Sequence, residues 1–445
     1  MMMTFMMIAG ADVSPIQMVG GALGVFGGVI LFLTVILLIA KKQLLPDGEV
    51  TVTINGEKVV KVQPGSTLLS TLASEKIFIP SACGGGGTCA QCICQVDSGG
   101  GDMLPTEAGH ISMRQAKENY RLSCQVKVKQ DMEIRVPEEV FGVSKWEAKV
   151  VSNYNVASFI KEFIVELPED MPYEAGGYIQ IEIPNCEVRY EDIDITAHPE
   201  EHPGDPDKFK VEWDKFGLRP LVMKNGEDVE RAYSMASFPA EGRRIMLNVR
   251  VATPPWDRAK NQWMDVNPGV ASSYIFSRKP GDTVTISGPY GEFFINHSDA
   301  EMLYIGGGAG MAPMRSHLYE LFKTLKTGRK VTYWYGGRSR RELFYLEHFY
   351  ALEKEFPNFK FYIVLSEPLE EDNWVEKKDV NDTEGDGFLG FVHQAVIDQY
   401  LTHHESPEEL ELYFCGPPLM NQAVTKMAYD WGIPDENVRF DDFGG

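Results

Sequence analysis

Four cysteines define the first chemistry open to this sequence. Cys83, Cys89 and Cys92 form a Cys-x5-Cys-x2-Cys run, and Cys124 follows thirty-two positions later. Iron–sulfur clusters need four thiolates converging within a few ångströms, and glycines at 84–87 clear Cβ atoms from the path of amides toward the sulfurs. Zinc also accepts four thiolates, usually on paired short-spaced knuckles. Here the fourth ligand stands alone on a predicted strand, which favours the cluster. Cys94, Cys186 and Cys415 bring the count to seven. An odd count with four thiols crowded into twelve residues fits a metal centre in a reducing compartment better than a disulfide framework.

A second constellation begins at Arg231-Ala232-Tyr233-Ser234. It combines a cation for a pyrophosphate, an aromatic face for a ring system and a hydroxyl for a heteroatom. Downstream, NPGVASSYI at 267–275 places Gly269 at the start of a predicted helix whose first amides suit phosphate. A third constellation is Tyr304-Ile305 leading into GGGAGMAPMR at 306–315, a strand that ends in glycines and opens a helix. Such a turn aims backbone N–H groups and a helix dipole at a pyrophosphate. YGGR at 335–338 and CGPPLM at 415–420 end later predicted strands, and Cys415 taken alone reads as a buried small hydrophobe.

The elements that must hold these residues fall into blocks. Residues 1–15 form a short tail. Residues 16–40 run for twenty-five positions without a charged side chain, long enough to cross a bilayer as a helix. A cleaved signal peptide is disfavoured, because the run lacks a basic n-region and a small-residue cleavage site. Lys41-Lys42 follow directly, which puts the N-terminus outside and the large remainder in the cytoplasm. Gly20, Gly24 and Gly28 give a small-residue face suited to another membrane helix, a feature equally found on lone helices. Residues 48–138 read as a compact β-rich domain with one main helix, STLLSTLASEK, capped by Ser66. Residues 146–296 bring strand after strand with little helical periodicity, which predicts an antiparallel β-barrel. The acidic stretch 185–230 interrupts it as an excursion over the barrel surface, either a cover or a partner surface. From 300 to 445, strands and helices alternate, which predicts an α/β parallel sheet covered on both faces. The net charge of −22 argues against nucleic-acid partners.

The cysteine segment resembles the plant-type and adrenodoxin-like ferredoxins (an α+β, β-grasp fold), with an x5 step closer to the adrenodoxin branch. That resemblance assigns Cys83, Cys89, Cys92 and Cys124 to a [2Fe–2S] cluster and leaves Cys94 off it. The later blocks resemble the ferredoxin–NADP reductase superfamily through R-x-Y-S, G-x-x-S, G-x-G-x-x-P and C-G-x-x. It implies FAD with Arg231 on the pyrophosphate, Tyr233 stacked on the isoalloxazine and Ser234 near flavin N5. Gly269, Val270, Ser272 and Ser273 would cover the phosphates, Asn248 and Arg250 would flank the adenosine side, and Phe443 would cover the flavin. The nicotinamide cofactor would lie on Gly306, Gly307, Gly308, Ala309, Gly310, Met311 and Pro313, with Gly336 and Arg338 at its adenosine end. Cys415, with Gly416 and Pro417, would stand beside the nicotinamide C4, so that Ser234 and Cys415 are the catalytic pair. Arg338, Arg340 and Arg341 could serve a 2′-phosphate, yet YGGRSRREL resembles the NADH-using branch, and NADH is expected.

The whole order of membrane segment, ferredoxin, flavin block and nicotinamide block is similar to the NADH-oxidising subunits of sodium-translocating NADH:quinone oxidoreductases. That similarity implies a single-pass protein of a bacterial inner membrane that oxidises NADH at FAD. It would pass single electrons through the cluster to other membrane subunits and finally to quinone. The uncharged membrane segment offers no sodium pathway. The competing reading is the reductase component of a multicomponent oxygenase, which would need neither the membrane segment nor the 185–230 excursion.

Overall fold

The computed structural model describes residues 26–35, 48–81, 83–257 and 259–442. Residues 26–35 are helical and exposed, with Phe26, Leu31 and Phe32 each more than 60% accessible. Thr34 turns its hydroxyl onto the Ile30 carbonyl at 2.8 Å, which satisfies the donor within the helix. The rest of the expected 16–40 span, and the 1–15 tail, lie outside the described residues. Among the described residues no helix is long and apolar enough to cross a membrane.

The chain divides into two compact units: Met1–Glu75 with Cys92–Pro137, and Lys76–Gln91 with Glu138–Gly445. The smaller is built on β1 (Val50–Ile54), β2 (Lys58–Val62), α1 (Leu68–Ser74), β3 (Ile93–Ser98), β4 (Tyr120–Leu122) and β5 (Met132–Arg135). Asn55 and Gly56 both take positive φ (53° and 74°), the backbone that a tight β1–β2 hairpin demands. The sheet runs β2-β1-β5-β3-β4 and is mixed, since β1 and β5 are parallel while the other pairs are antiparallel. Thr67 caps α1 by accepting the Ser70 amide at 3.1 Å. The expected cap, Ser66, instead gives its carbonyl to Val128 N. Leu68 and Leu72 of α1 are fully buried.

The larger unit opens with β6 (Ser144–Ala157), β7 (Ile160–Glu166), β8 (Tyr178–Ile183), β9 (Cys186–Arg189), α2 (Lys210–Lys215), β10 (Val222–Asn225), β11 (Val229–Ser234), β12 (Arg244–Arg250), α3 (Val270–Ser277) and β13 (Thr283–Tyr290). Six of these strands form an antiparallel sheet, β11-β8-β13-β6-β7-β12. Its two edge strands approach each other through a Met235–Leu247 bridge and an Ala236 N–Met246 O bond of 2.7 Å. The excursion after β8 is more than a surface cover. Tyr190 and Trp213 are fully buried in the same apolar core as Phe163, Ile181 and Leu247, and the Trp213 indole donates to Ser158 O at 2.7 Å.

The remaining elements are β14 (Met302–Gly307), α4 (Met311–Tyr319), β15 (Val331–Gly337), α5 (Leu346–Glu355), β16 (Phe359–Leu365), β17 (Phe388–Leu389), α6 (Val392–Gln399), β18 (Glu411–Cys415), α7 (Pro418–Asp430) and β19 (Val438–Asp441). All six strands are parallel, in the order β17-β16-β15-β14-β18-β19. The chain moves outward from β14 to β17 and then crosses back to β18. The crevice beyond the strand ends at β14/β18 is therefore the ligand position favoured in such sheets. Separate apolar clusters fill the two faces: Tyr304, Tyr333 and Phe361 on one, Ile305, Trp334 and Val364 on the other. The helix that the glycine turn opens begins at Met311 and changes to a π-turn at Glu320–Thr324.

Candidate active site

The predicted cluster ligands stand as two pairs. The Sγ atoms of Cys83 and Cys89 are 3.3 Å apart. Burial pushes the Cys83 thiol up, but the amides of Thr88 and Cys89 outweigh it and bring the pKa down to about 6. Gly84, Gly85 and Gly87 all have positive φ, and Ser81 Oγ accepts the Gly85 amide at 2.8 Å, so the loop curls its N–H groups inward. Cys92 and Cys124 are 1% and 4% exposed, and Cys124 together with burial pushes the Cys92 thiol well up. Each pair sits within one compact unit, Cys83 and Cys89 in the larger and Cys92 and Cys124 in the smaller, and thiolates are the donors such a cluster takes. Cys124 lies in a turn just past β4, not on a strand. Cys94 is buried on β3, its thiol pushed up to about 12 by burial, and belongs to neither pair.

In the larger unit β11 carries Arg231, Tyr233 and Ser234. The Arg231 guanidinium donates to Glu230 O at 2.7 Å. Tyr233 is pushed above the usual phenol range by burial. The Ser234 hydroxyl donates to Asp441 Oδ2 at 2.5 Å. Gly269 caps α3, and a Cβ there would come within 2.5 Å of Ala252 Cβ, so only glycine fits this start. Val270 is half-buried. Ser272 Oγ accepts the Ala252 amide at 3.0 Å, while Ser273 Oγ donates to Gly269 O at 2.7 Å and meets Tyr190 Oη at 2.8 Å. Both serine side chains therefore hold the fold, and the helix amides are what remains for a phosphate. Asn248 is also turned inward: its Nδ2 donates to Tyr345 Oη at 2.8 Å, and its buried Oδ1 has no partner among the described residues. Arg250 is exposed at the end of β12. Phe443 lies outside the described residues.

The glycine turn after β14 is shaped by close approach. A Cβ on Gly310 would fall 2.1 Å from Cys415 O, and one on Gly307 would fall 2.9 Å from Met420 Sδ. Gly308 has φ +56°, and a Cβ there would make only an ordinary contact of 3.8 Å with Ile160 Cδ1, so the backbone conformation rather than crowding favours glycine. Ala309 is half-buried in the short turn that leads into α4, where Met311 and Pro313 are buried. The ladder pairs Gly306 with Cys415, and Cys415 with Asp441. The Cys415 thiol is fully buried and pushed well up by burial and then by Asp441, so it stays neutral. Gly416 is buried, Pro417 exposed. Gly336 stands one residue before the end of β15 with Val392 closing over it, and Arg338 is exposed just beyond the strand. Ser234 thus meets Asp441, which pairs across the ladder with Cys415, itself paired with Gly306 of β14; the sequence did not single out Asp441. Its carboxyl is pushed up by burial, an effect that the Ser234 hydrogen bond partly offsets.

Three domain families match along the chain. They are a 2Fe–2S iron–sulfur cluster binding domain over residues 52–129, an oxidoreductase FAD-binding domain over 219–295 and an oxidoreductase NAD-binding domain over 304–426. Curated relatives, all named as the same component of Na(+)-translocating NADH-quinone reductase, include one from Neisseria meningitidis. It is 54% identical over 94% of this chain and 98% of its own length. Another, from Actinobacillus succinogenes, is 52% identical over 95% of this chain and 98% of its own. This chain belongs to that family of reductase subunits. Among solved structures, the Amycolatopsis cytochrome P450 reductase shares the fold. Its TM-score is 0.59 at 22% identity, covering 88% of this chain and 98% of that one. A ferredoxin reductase of carbazole 1,9a-dioxygenase reaches 0.54 at 21% identity, covering 89% and 98%. Both likenesses concern architecture alone. The FAD-domain match begins only at residue 219. The Neisseria relative, by contrast, aligns over 422 residues, more than the chain holds outside the 185–230 excursion, so the family shares part of that stretch too.

Proposed function

We propose that this chain oxidises NADH at FAD and delivers the electrons one at a time to a [2Fe–2S] cluster on the same polypeptide. It would do so as the NADH-oxidising component of a sodium-translocating NADH:quinone reductase in a bacterial inner membrane. Membrane partner subunits then carry the electrons to quinone. The observation that carries this reading is the Ser234–Asp441 hydrogen bond beside Cys415, which joins the end of β11 to the ends of β18 and β19. A hydride can pass only where donor and acceptor rings stack within van der Waals reach, and this junction supports that position.

Bound FAD supplies two-electron acceptance and one-electron release, and the cluster supplies one-electron transfer. The chain's own residues do the rest. Six antiparallel strands, closed through Met235 and Leu247 as a barrel, would hold the flavin, with Arg231 on its pyrophosphate and Tyr233 against its ring. The amides at 307–311 and the start of α4 take the NADH pyrophosphate. Buried, neutral Cys415 shapes the nicotinamide pocket without donating charge. Ser234, oriented by Asp441, presents its hydroxyl at the site where the flavin is reduced. Cys83, Cys89, Cys92 and Cys124 would hold the cluster. The apolar, helical residues 26–35 and the uncharged run around them in the sequence support the single-pass anchor, and Lys41-Lys42 after it support catalytic blocks in the cytoplasm.

The full chain, purified from membranes in mild detergent, tests this directly. We expect flavin and cluster absorption bands, rapid bleaching by NADH and co-purification of other integral membrane subunits with sodium-stimulated quinone reduction. A folded protein carrying zinc in place of iron, or intact flavin that NADH fails to bleach, would contradict it.

A further inference from the structure

Three arginines follow the end of β15, and carboxylates meet the guanidinium groups of two of them, Arg338 and Arg341. Arg338 Nε lies 3.7 Å from Glu367. The Arg340 amide donates to Asp372 at 3.2 Å. Arg341 is held from two sides, with Nη1 2.9 Å from Glu212 and Nη2 2.5 Å from Glu371. Glu371 sits in the turn after β16, whereas Glu212 comes from α2 inside the excursion, 129 positions away. The Arg341 side chain is only 18% exposed, so its donors face carboxylates rather than water.

The place of this cluster in the nicotinamide site follows from the sheet. A dinucleotide lies across the carboxyl edge with its pyrophosphate at the turn after β14. Ser234 meets Asp441 at the end of β19, which sets the nicotinamide end on the β18/β19 side. Strands are about 4.8 Å apart, so the adenosine end extends the other way, over β15 and β16. Residues 338–341 and 367–372 emerge there. A 2′-phosphate arriving at that edge needs an uncommitted cation, whereas a bare 2′-hydroxyl needs an acceptor.

We propose that Glu212 and Glu371, by occupying Arg341, make this chain reject 2′-phosphorylated nicotinamide cofactors, so that the excursion at 185–230 sets cofactor choice. This rests on the NADH-oxidising function proposed above. Freed from its carboxylates, Arg341 would offer two donors to a phosphate. Removal of two negative charges would also lift the repulsion.

The test uses the full detergent-purified chain carrying Glu212→Gln, Glu371→Gln and both, with flavin reduction followed under NADH and NADPH. The double variant is expected to raise the NADPH:NADH ratio of kcat/KM by about tenfold, the factor that one charge-assisted hydrogen bond supplies. Adenosine 2′-phosphate should inhibit more tightly by a similar factor. Adding Arg341→Gln should abolish both gains. Glu371 lies on an exposed turn, so Glu371→Gln alone keeps the question answerable should Glu212→Gln fail to fold. An unchanged ratio and unchanged inhibition in a flavin-loaded variant would overturn the proposal, as would gains that survive Arg341→Gln. If the parent chain fails to oxidise NADH, the function above falls, while adenosine 2′-phosphate binding still decides the role of Arg341.

Discussion

Asp441 is the residue on which the flavin and nicotinamide halves agree. Burial raises its pKa, Ser234 partly offsets that rise and neighbouring Asp442 adds to it. A carboxyl raised in the folded state holds its proton longer than the unfolded chain does. Its contribution is most favourable below the ordinary carboxylate range and declines as pH climbs through the raised value. Asp441→Asn removes that penalty. The larger unit should therefore melt about 2 °C higher at pH 8, with little difference at pH 4, by calorimetry. The amide can donate to Ser234 as well as accept, so the hydroxyl loses its fixed direction. Stopped-flow reduction of bound FAD by NADH should then slow by about tenfold. A variant that melts higher yet reduces flavin at the parent rate would separate Asp441 from the chemistry. Arg231, Tyr233, Ser234 and Cys415 were legible as a motif, because each lies in a short run of unusual composition. Asp441 was not. Its partner is 207 positions away, and one more aspartate in an acidic chain carries no local signal.

At the scale of elements, the turn chemistry was readable and the buried ion pair was not. Asn55-Gly56 announced a hairpin because few residues accept positive φ at two successive positions. The α1 cap moved from Ser66 to Thr67 because the backbone before it is already paired with Val128. Nothing local, however, marked Glu107 as the hub of the smaller unit. Its carboxylate receives Arg121 Nε and Nη2 at 2.9 and 2.7 Å, together with the amides of Leu122 and Leu104. Arg121 in turn bonds the carbonyls of Gly100, Gly101 and Asp102. This ties the loop after β3 to the strand that leads into Cys124. Burial would push Glu107 up, yet Arg121 and the two amides hold it below the usual glutamate range. A lowered carboxylate contributes stability above its unfolded pKa and loses it as pH falls through the lowered value. Glu107→Ala leaves a buried guanidinium unpaired and should cost about 3–5 kcal/mol. In urea, cluster absorbance should then bleach well before the flavin is lost. Coincident bleaching of parent and variant would show that this pair does not secure the fourth ligand.

On the scale of the whole molecule, the order of blocks could be read directly, since the rhythm of alternating strands changes to strand–helix alternation near residue 300. The excursion could not be read that way. Its acidic, proline-rich composition describes a solvated loop, yet Tyr190 and Trp213 enter the core while Glu201 and Glu212 reach the nicotinamide block. Composition reports the exposed majority of such a segment and hides its few anchors. One anchor titrates. His198 Nε2 sits 3.3 Å from Glu162, whose other oxygen accepts Tyr345 Oη at 2.7 Å, and the Tyr345 amide donates to Glu201 at 3.0 Å. Burial would lower the His198 pKa, but Glu162 first, with Glu201 and Glu200 behind it, raises it above the ordinary imidazole value. A raised histidine contributes stability that is complete below the unfolded value of about 6.5 and is lost as pH rises through the folded one. The His198 side chain is 15% exposed, and this residual contact with water limits the term to about 1 kcal/mol. The larger unit should thus lose about 2 °C of melting temperature between pH 6 and pH 9 through this contact. His198→Gln, which keeps a hydrogen-bond donor but cannot be charged, should flatten that slope and bring the pH 6 value down to the parent's at pH 9. A parent-like slope in His198→Gln would place the pH sensitivity outside the junction that the excursion braces.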